Sequence, residues 1–277
     1  MTISILGCGW LGFPLAKMLL AAGHTVKGST TSLDKLPMLR EAGIEPFCLN
    51  LAPEPQGVSW SSFLQTDLLI VNIPPRLERA GAGFHVAQMA ALVRLLGTSP
   101  VRRVVQVSST SVYPELNREM TEEDVTTPAQ SAAPTLVAAE QIVQSLPVPS
   151  LVLRCGGLMG YERIPGKYVS GKKNLETGDV PVNYVHRDDV VRVIGHFAEN
   201  QPHQNGVFNV VAPLHPTRRQ IYQATCPPFG YEMPTFVQPA VAVPFKTVSS
   251  QKLINKANFL FKYPNPVLFN YSKTENQ

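Results

Sequence analysis

The sequence predicts an α/β protein: a doubly wound parallel sheet with a small C-terminal lobe. Three observations carry the prediction. The chain opens on an apolar run, Ile3 to Leu6, followed by glycines and by an apolar segment, Leu11 to Ala22, long enough for a helix. Short apolar runs then alternate with helix-length segments to about residue 107, the pattern of parallel strands joined by crossover helices. At 277 residues, 44% hydrophobic and 16% charged, the chain can bury a large core.

The elements follow in order. The first helix should end near Gly23, which suits a left-handed cap. His24 to Gly28 reads as the second strand. Ser29 to Ser32 follows, with Ser32 expected to cap a helix from Leu33 to Ala42 that Gly43 closes. Ile44 to Leu51 reads as the third strand and Pro53 to Gly57 as loop. Asp67 to Ile73 is the fourth strand, stopped by Pro74-Pro75. Phe84 to Leu96 has helical spacing and Gly97 ends it. Val101 to Val107 is the fifth strand. Glu115 to Gln130 is polar and reads as a surface loop. A helix spans about 132 to 146, a sixth strand Pro147 to Arg154, a helix Val190 to Ala198 and a seventh strand Gly206 to Ala212. Residues 155–182 are glycine-bearing and loop-rich, and the proline-rich remainder lacks further sheet pattern. The expected domains are therefore 1–154, rejoined by 183–212, and a lobe from 155–182 and 213–277.

The bulk numbers narrow the function. The net charge is +4 and the basic residues are dispersed, which describes a solvated surface rather than a nucleic-acid patch. Cys8, Cys48, Cys155 and Cys226 stand far apart with no C-x-x-C, as reduced core residues of a cytoplasmic protein rather than a disulfide frame or metal site. No apolar stretch reaches membrane-spanning length, and the glycine-cut N-terminal run is not a signal peptide.

Gly7, Gly9 and Gly12 form G-x-G-x-x-G at the first strand-to-helix turn. In the Rossmann-type arrangement the first glycine permits the tight turn. The second lets the backbone approach a pyrophosphate, and the third lets helix and strand pack. The helix N-terminus then points partial positive charge at the phosphates. Gly7, Cys8, Gly9, Trp10, Leu11 and Gly12 are thus expected at a nicotinamide dinucleotide, with Ile73, Pro74, Pro75, Val107 and Ser108 at neighbouring strand ends. An acid about 20 residues past the glycines would select NAD through the ribose hydroxyl. The end of strand two instead offers Ser29, Thr30 and Thr31, with Lys35 nearby and no acid before Asp34. Hydroxyls and a cation suit a 2′-phosphate, so NADP is expected, with NAD as the alternative.

Further stretches carry a family pattern. Val107-Ser108-Ser109-Thr110-Ser111-Val112-Tyr113 resembles the S-S-x-x-V-Y of extended short-chain dehydrogenases, the group of nucleotide-sugar epimerases and dehydratases. Asn183-Tyr184-Val185-His186-Arg187-Asp188-Asp189-Val190 resembles that group's F-(I/V)-H-V-x-D-(V/L), and Gly206 to Val210 the strand after it. Lys246-Thr247-Val248-Ser249-Ser250-Gln251-Lys252-Leu253 is similar to G-K-x-V-S-N-x-(K/R)-L. The resemblance spans nearly the whole chain. It implies an oxidoreductase of the epimerase/dehydratase kind, in which a Ser orients the substrate and a Tyr, its pKa lowered by a Lys, is the base.

The chain departs from the family at that pair. If Glu140 matches the family's Glu after the Lys, Leu136 stands where Lys belongs and Ala132 where Tyr belongs. No Tyr or Lys lies between Tyr113 and Arg154. Tyr168 and Lys172 share the spacing but lie in a glycine-bearing loop. The departure resembles the atypical short-chain dehydrogenases. Some of these are reductases or isomerases with other proton donors, and others bind dinucleotide as sensors without turnover.

The remaining candidates are Ser109, to orient a substrate or to bond backbone at a strand end, and Tyr113, as proton donor or wall. Tyr161, Arg163 and His186 are expected near substrate. Arg163 would clamp a phosphate or carboxylate, and His186 serves as acid or base or as an anchor before a helix. Asp188 or Asp189 is expected to begin that helix. The expected function is hydride exchange with a small polar substrate, held between sheet and lobe, through a nonstandard proton donor; the alternative is a non-catalytic dinucleotide sensor or partner-binding protein. The resemblance further implies a homodimer through helices 84–97 and 132–146.

Overall fold

The computed structural model describes residues 1–75, 81, 83–201 and 203–273. Its centre is a seven-stranded sheet. In chain order its strands are β1 (Thr2–Leu6), β2 (Thr25–Thr30), β3 (Glu45–Cys48), β6 (Leu68–Val71), β7 (Arg103–Ser109), β9 (Ser150–Cys155) and β12 (Gly206–Val210). Across the sheet the order is β12-β9-β7-β6-β1-β2-β3. The neighbours β1–β2, β1–β6, β2–β3 and β6–β7 pair parallel. The order reverses between β1 and β6, where Leu6 lies opposite Val71. In open α/β sheets ligands bind beyond the carboxyl ends of strands at such a reversal. The strands here are buried on both faces, which is why β6 reads Leu-Leu-Ile-Val without alternation.

Helices α1 (Gly12–Ala21), α2 (Leu36–Glu41), α3 (Trp60–Phe63), α4 (Phe84–Leu96), α5 (Pro134–Gln144) and α6 (Arg187–Asn200) connect these strands. Phe63 of α3, Met89, Leu92 and Leu96 of α4, and Ala139 and Val143 of α5 share one apolar cluster with Leu69 and Val104 of the sheet. Elsewhere α1 and α6 approach closely: a Cβ on Gly195 would lie 2.3 Å from Met18 Cε. Short elements complete the chain: β4 (Asn50–Leu51), β5 (Pro55–Gln56), β8 (Arg118–Met120), β10 (Gly157–Met159), β11 (Tyr184–His186), α7 (Arg218–Thr225), β13 (Lys246–Val248) and α8 (Gln251–Ala257).

The chain divides into two compact units, 1–108 with 125–154 and 191–208, and 109–124 with 155–190 and 209–277. Residues 109–124, 183–190 and 209–212, which the sequence groups with the sheet, fall in the second unit.

Several elements differ from expectation. The second strand continues through Ser29 and Thr30, because both pair with β3, opposite Phe47 and Cys48. The third strand stops at Cys48, and Asn50–Leu51 turns to pair antiparallel with Pro55–Gln56. Ser32 makes no side-chain cap: the first turn after it is a 3-10 turn, and its amide donates to Thr30 Oγ1 at 3.2 Å. The polar stretch after Tyr113 contains β8, which pairs parallel with β13 far downstream. No described helix is long and apolar enough to cross a membrane.

Candidate functional site

The glycine turn sits at the sheet's reversal and is braced from below. Gly7 has φ +102°, and a Cβ there would lie 2.5 Å from Asn72 O. A Cβ on Gly12 would lie 2.3 Å from Gly7 O. Both positions therefore demand glycine for packing within the protein. Asn72 Nδ2 donates to Gly7 O at 2.9 Å, the Gly7 amide donates to Ser29 Oγ at 3.0 Å, and the Cys8 amide to Ser29 O at 2.7 Å.

Gly9 differs from its two partners. A Cβ there would meet nothing within 4 Å, so no contact within the protein requires glycine. Among the described residues, the amides of Leu11 and Gly12 at the start of α1 have no acceptor, as a helix's first turn leaves them. An open backbone face over unpaired amides at a helix N-terminus fits a diphosphate. Cys8 is buried, and burial pushes its thiol up to about 12, so it stays a packed thiol. Leu11 and Gly12 are buried, and Trp10 is half-buried.

The residues expected at the ribose separate into two kinds. Ser29 is buried and its hydroxyl holds Gly7; Thr30 Oγ1 holds the Ser32 amide. Both brace the loop. Thr31 and Lys35 are exposed, as is Asp34 between them. Ile73, Pro74 and Pro75 follow β6 after Asn72, with Pro74 exposed.

At the end of β7, Val107 is half-buried and Ser108 points inward. Ser108 Oγ donates to Glu140 Oε1 at 2.5 Å, and Arg154 grips the same carboxylate through Nη2 at 2.7 Å and Nε at 3.1 and 3.2 Å. Ser108 thus belongs to a buried ion pair, a role its motif did not indicate. Leu136, in the place matched to the family's Lys, is buried in α5.

Ser109 begins a 3-10 turn, and its Oγ accepts the Ser111 amide at 3.1 Å. Accepting one bond leaves the hydroxyl its O–H and a second lone pair. Tyr113 ends that turn fully buried, with its Oη donating to Asn209 Oδ1 at 2.7 Å. A phenol in that position is part of the packed interior. It corrects the proton-donor alternative, because a buried O–H already bonded to an amide does not face a substrate. Asn209 in turn donates its own amide to buried Glu122 at 2.7 Å, and Lys246 Nζ donates to the Tyr113 carbonyl.

His186 is likewise corrected as a substrate contact. It is fully buried, its ring 3.9 Å from that of Tyr263 and 5.4 Å from that of Phe269. Its Nδ1 accepts the Asp188 amide at 3.2 Å, which leaves Nε2–H facing Asn270 O at 3.3 Å. Burial lowers its pKa, so it is a neutral anchor. Tyr161 has φ +52°, its ring lies 3.9 Å under the Arg187 guanidinium, and its Oη donates to Asp188 at 2.8 Å. Arg163 is half-buried. The helix starts at Arg187, with Asp188 and Asp189 in its first turn. Asp189 turns away from a capping role: its two oxygens accept the amides of Lys262 and Tyr263, each at 2.8 Å.

The contacts the sequence reading missed are mainly ones across long separations: those of Glu122 and Asn209, of Asp189, and of the Glu140–Arg154 pair. For Arg154 a signal was present. It is a charge following the apolar run Leu151–Leu153 in a strand, and such a charge requires a partner.

No protein-family model matches the chain. Protein YeeZ of Escherichia coli K12 is 30% identical over 269 residues, covering 96% of this chain and 97% of that protein. Among solved structures, a conserved protein of unknown function from Silicibacter pomeroyi superposes with TM-score 0.75 at 21% identity, covering 97% and 96% of the two chains. UDP-glucose 4-epimerase from Thermotoga maritima, solved with UDP-glucose, gives 0.74 at 16% identity and 97% of each chain. Human epimerase family protein SDR39U1, solved with NADPH, gives 0.71 at 18% identity over 96% and 97%. The chain therefore belongs to the family of Escherichia coli YeeZ, and its Rossmann-type fold is similar to that of the solved epimerase-like structures.

Proposed function

We propose that the chain is a nicotinamide dinucleotide-binding, oxidoreductase-like protein of the epimerase/dehydratase kind, with NADP(H) preferred, acting on a small polar substrate. The observation that carries this reading is the contrast among the three glycines. Two are required by contacts inside the protein, while Gly9 faces open space beside unpaired helix amides. The solved relatives crystallised with NAD or NADPH support the same assignment.

The amides of Leu11 and Gly12 would hold the diphosphate, with Gly9 allowing its approach. Thr31 and Lys35, both exposed, would meet a ribose 2′-phosphate. The nicotinamide, when bound, supplies reversible hydride exchange. Ser109 would orient a substrate hydroxyl with the O–H its backbone bond leaves over. The proton donor is neither Tyr113 nor His186, both buried and bonded.

One observation favours the non-catalytic sensor instead: Leu136 and Ala132 stand in the places of the usual Lys and Tyr. Turnover separates the two readings. An enzyme would show substrate-dependent loss of NADPH absorbance that falls in Ser109→Ala, whereas a sensor would bind NADPH and reduce nothing in a carbonyl panel. The first test is thermal unfolding with NADPH, with NADH, or with neither. Ligand at about 100 times its dissociation constant stabilises by about 2.7 kcal/mol. A larger effect of NADH overturns the NADP preference, and no effect of either overturns the nucleotide reading. Self-association through α4 and α5 belongs to the same proposal, and a monomeric mass by light scattering would remove it.

A further inference from the structure

Three separate segments of the second unit meet on one imidazole. The His186 ring lies 5.5 Å from that of Tyr161 in the turn after β10, and 3.9 and 5.4 Å from those of Tyr263 and Phe269 in the C-terminal segment. Gly160 packs directly on it: a Cβ there would lie 2.6 Å from His186 Nε2. The C-terminal segment is held at two places. At its root Asp189 accepts the amides of Lys262 and Tyr263, and the Leu214 amide donates to Pro264 O at 3.1 Å. Further on, one carbonyl, Asn270 O, takes both His186 Nε2–H at 3.3 Å and the Tyr161 amide at 3.0 Å. The Ser272 amide returns to Tyr161 O at 3.0 Å. Tyr161 has φ +52°, a conformation that a bulky residue keeps only where its surroundings impose it. The C-terminal segment supplies the two backbone bonds that do so. The Arg187 guanidinium over its ring and the bond from its Oη to Asp188 supply the rest.

The ring is bonded as a neutral group on both sides. Its Nδ1 accepts the Asp188 amide at 3.2 Å while Nε2–H serves Asn270 O. A second proton, on Nδ1, would face the Asp188 N–H donor to donor. The ring then has to turn, which abandons the Tyr263 stack and the Asn270 bond. Of the charged groups around it on α6, Asp188 and Asp189 favour the charged ring and Arg187 opposes it. The Asp188 carboxylate stands 3.8 Å from Nδ1 and already accepts the Tyr161 phenol. The other two elements face the ring with the phenols of Tyr161 and Tyr263, and Lys262 Nζ lies 5.2 Å from the Tyr263 ring. Burial outweighs the two carboxylates, so the ring is harder to charge in place than in an open chain.

We propose that His186 is a proton-operated latch on the C-terminal segment: charging the imidazole releases residues 269–272 from Tyr161, while the Asp189 clamp keeps the root of the segment in place. A charge change on one side chain thereby biases a two-state element. Release removes both backbone bonds that hold Tyr161 at positive φ and uncovers Phe269, which is buried in the closed form. The device lies wholly within the second unit and does not depend on the nucleotide reading.

The test is amide hydrogen exchange of the full chain without nucleotide, read by mass spectrometry and corrected for the intrinsic rate at each pH. Peptides covering 266–273 should exchange up to about tenfold faster for each pH unit below about 6.5, because the released ring takes its proton at the ordinary histidine pKa. Peptides from β1 and β7 should not change over the same range, which separates release from global unfolding. In His186→Gln the exchange of 266–273 should no longer vary with pH, whatever its level. A second measurement needs no variant: the His186 ring, followed by nuclear magnetic resonance in the wild-type chain, should charge over the same pH range in which 266–273 opens. The proposal is overturned if 266–273 opens only together with the sheet or does not open at all. It is equally overturned if the acid-side rise persists in His186→Gln, or if the ring charges while the segment stays closed.

Discussion

Arg154→Met is expected to cost about 3–5 kcal/mol of stability, the range for removing one partner of a buried ion pair. The Arg154 and Glu140 side chains are 2% and 1% exposed, and three nitrogen–oxygen contacts of 2.7 to 3.2 Å join them. Removing the guanidinium strips all three and leaves a carboxylate inside the first unit with the Ser108 hydroxyl for company. A hydrogen bond to a charged acceptor is worth about 1.5–3 kcal/mol. An uncompensated buried carboxylate costs several kcal/mol, so the hydroxyl cannot offset the loss. At about 2–4 °C per kcal/mol for a chain approaching this size, the unfolding midpoint should fall by about 6–20 °C. The double variant Glu140→Leu/Arg154→Met removes both charges and should recover most of the loss, since apolar replacement of a whole buried pair is often neutral. Urea unfolding followed by circular dichroism measures all three proteins. The reasoning fails if the single change costs under about 1 kcal/mol, or if the double variant is no more stable than the single one.

Further predictions concern the turn, the buried Tyr113 and the anchor. Gly9→Ala should leave stability within about 1 kcal/mol, because its φ is not left-handed and its surroundings are open, while weakening NADPH binding in a fluorescence titration. Gly12→Ala should destabilise strongly, since its Cβ would overlap Gly7 O, and equal melting of the two variants would contradict the packing argument. Tyr113→Phe should cost about 1–3 kcal/mol by leaving Asn209 Oδ1 unsatisfied. NADPH affinity in that variant should be unchanged, and a lost affinity would return Tyr113 to the site. The folded pKa of His186 is lowered, so the unfolded chain binds the extra proton first. Its contribution is complete above about pH 6.5 and is lost as pH falls below that value toward the folded pKa. His186→Gln should therefore flatten the acid side of a stability–pH curve, and an unchanged slope would show that folding does not shift the ring's pKa. Lys35→Glu should weaken NADPH more than NADH, and an equal effect on both would remove Lys35 from the ribose site.

Local pattern was enough for the elements that recur in every Rossmann-type half. Gly7, Gly9 and Gly12 between an apolar run and a helix-length segment mark the turn, because strand period and backbone freedom are properties of adjacent residues. The bounds of α4 and the caps at Gly23 and Gly43 follow for the same reason. The motifs at 107–113 and 183–190 pointed to the family but misjudged several side chains. Ser108, Tyr113 and His186 lie in matched positions, yet each is spent on a partner supplied by another element. Leu51–Pro55 pairing and the β8–β13 ladder escaped notice because their partners carry no periodic signal.

Which glycine is required for packing and which stands open depends on Asn72, a residue sixty-five positions from Gly7. The same holds for Glu140 and Arg154. A spacing along the chain states which groups exist, and only folding brings distant ones within the few ångströms over which charge and hydrogen bonding act. Adjacent residues thus suffice for the fold class and the site of the turn. Whether a hydroxyl braces the protein or faces a ligand is decided by contacts between residues far apart in the chain.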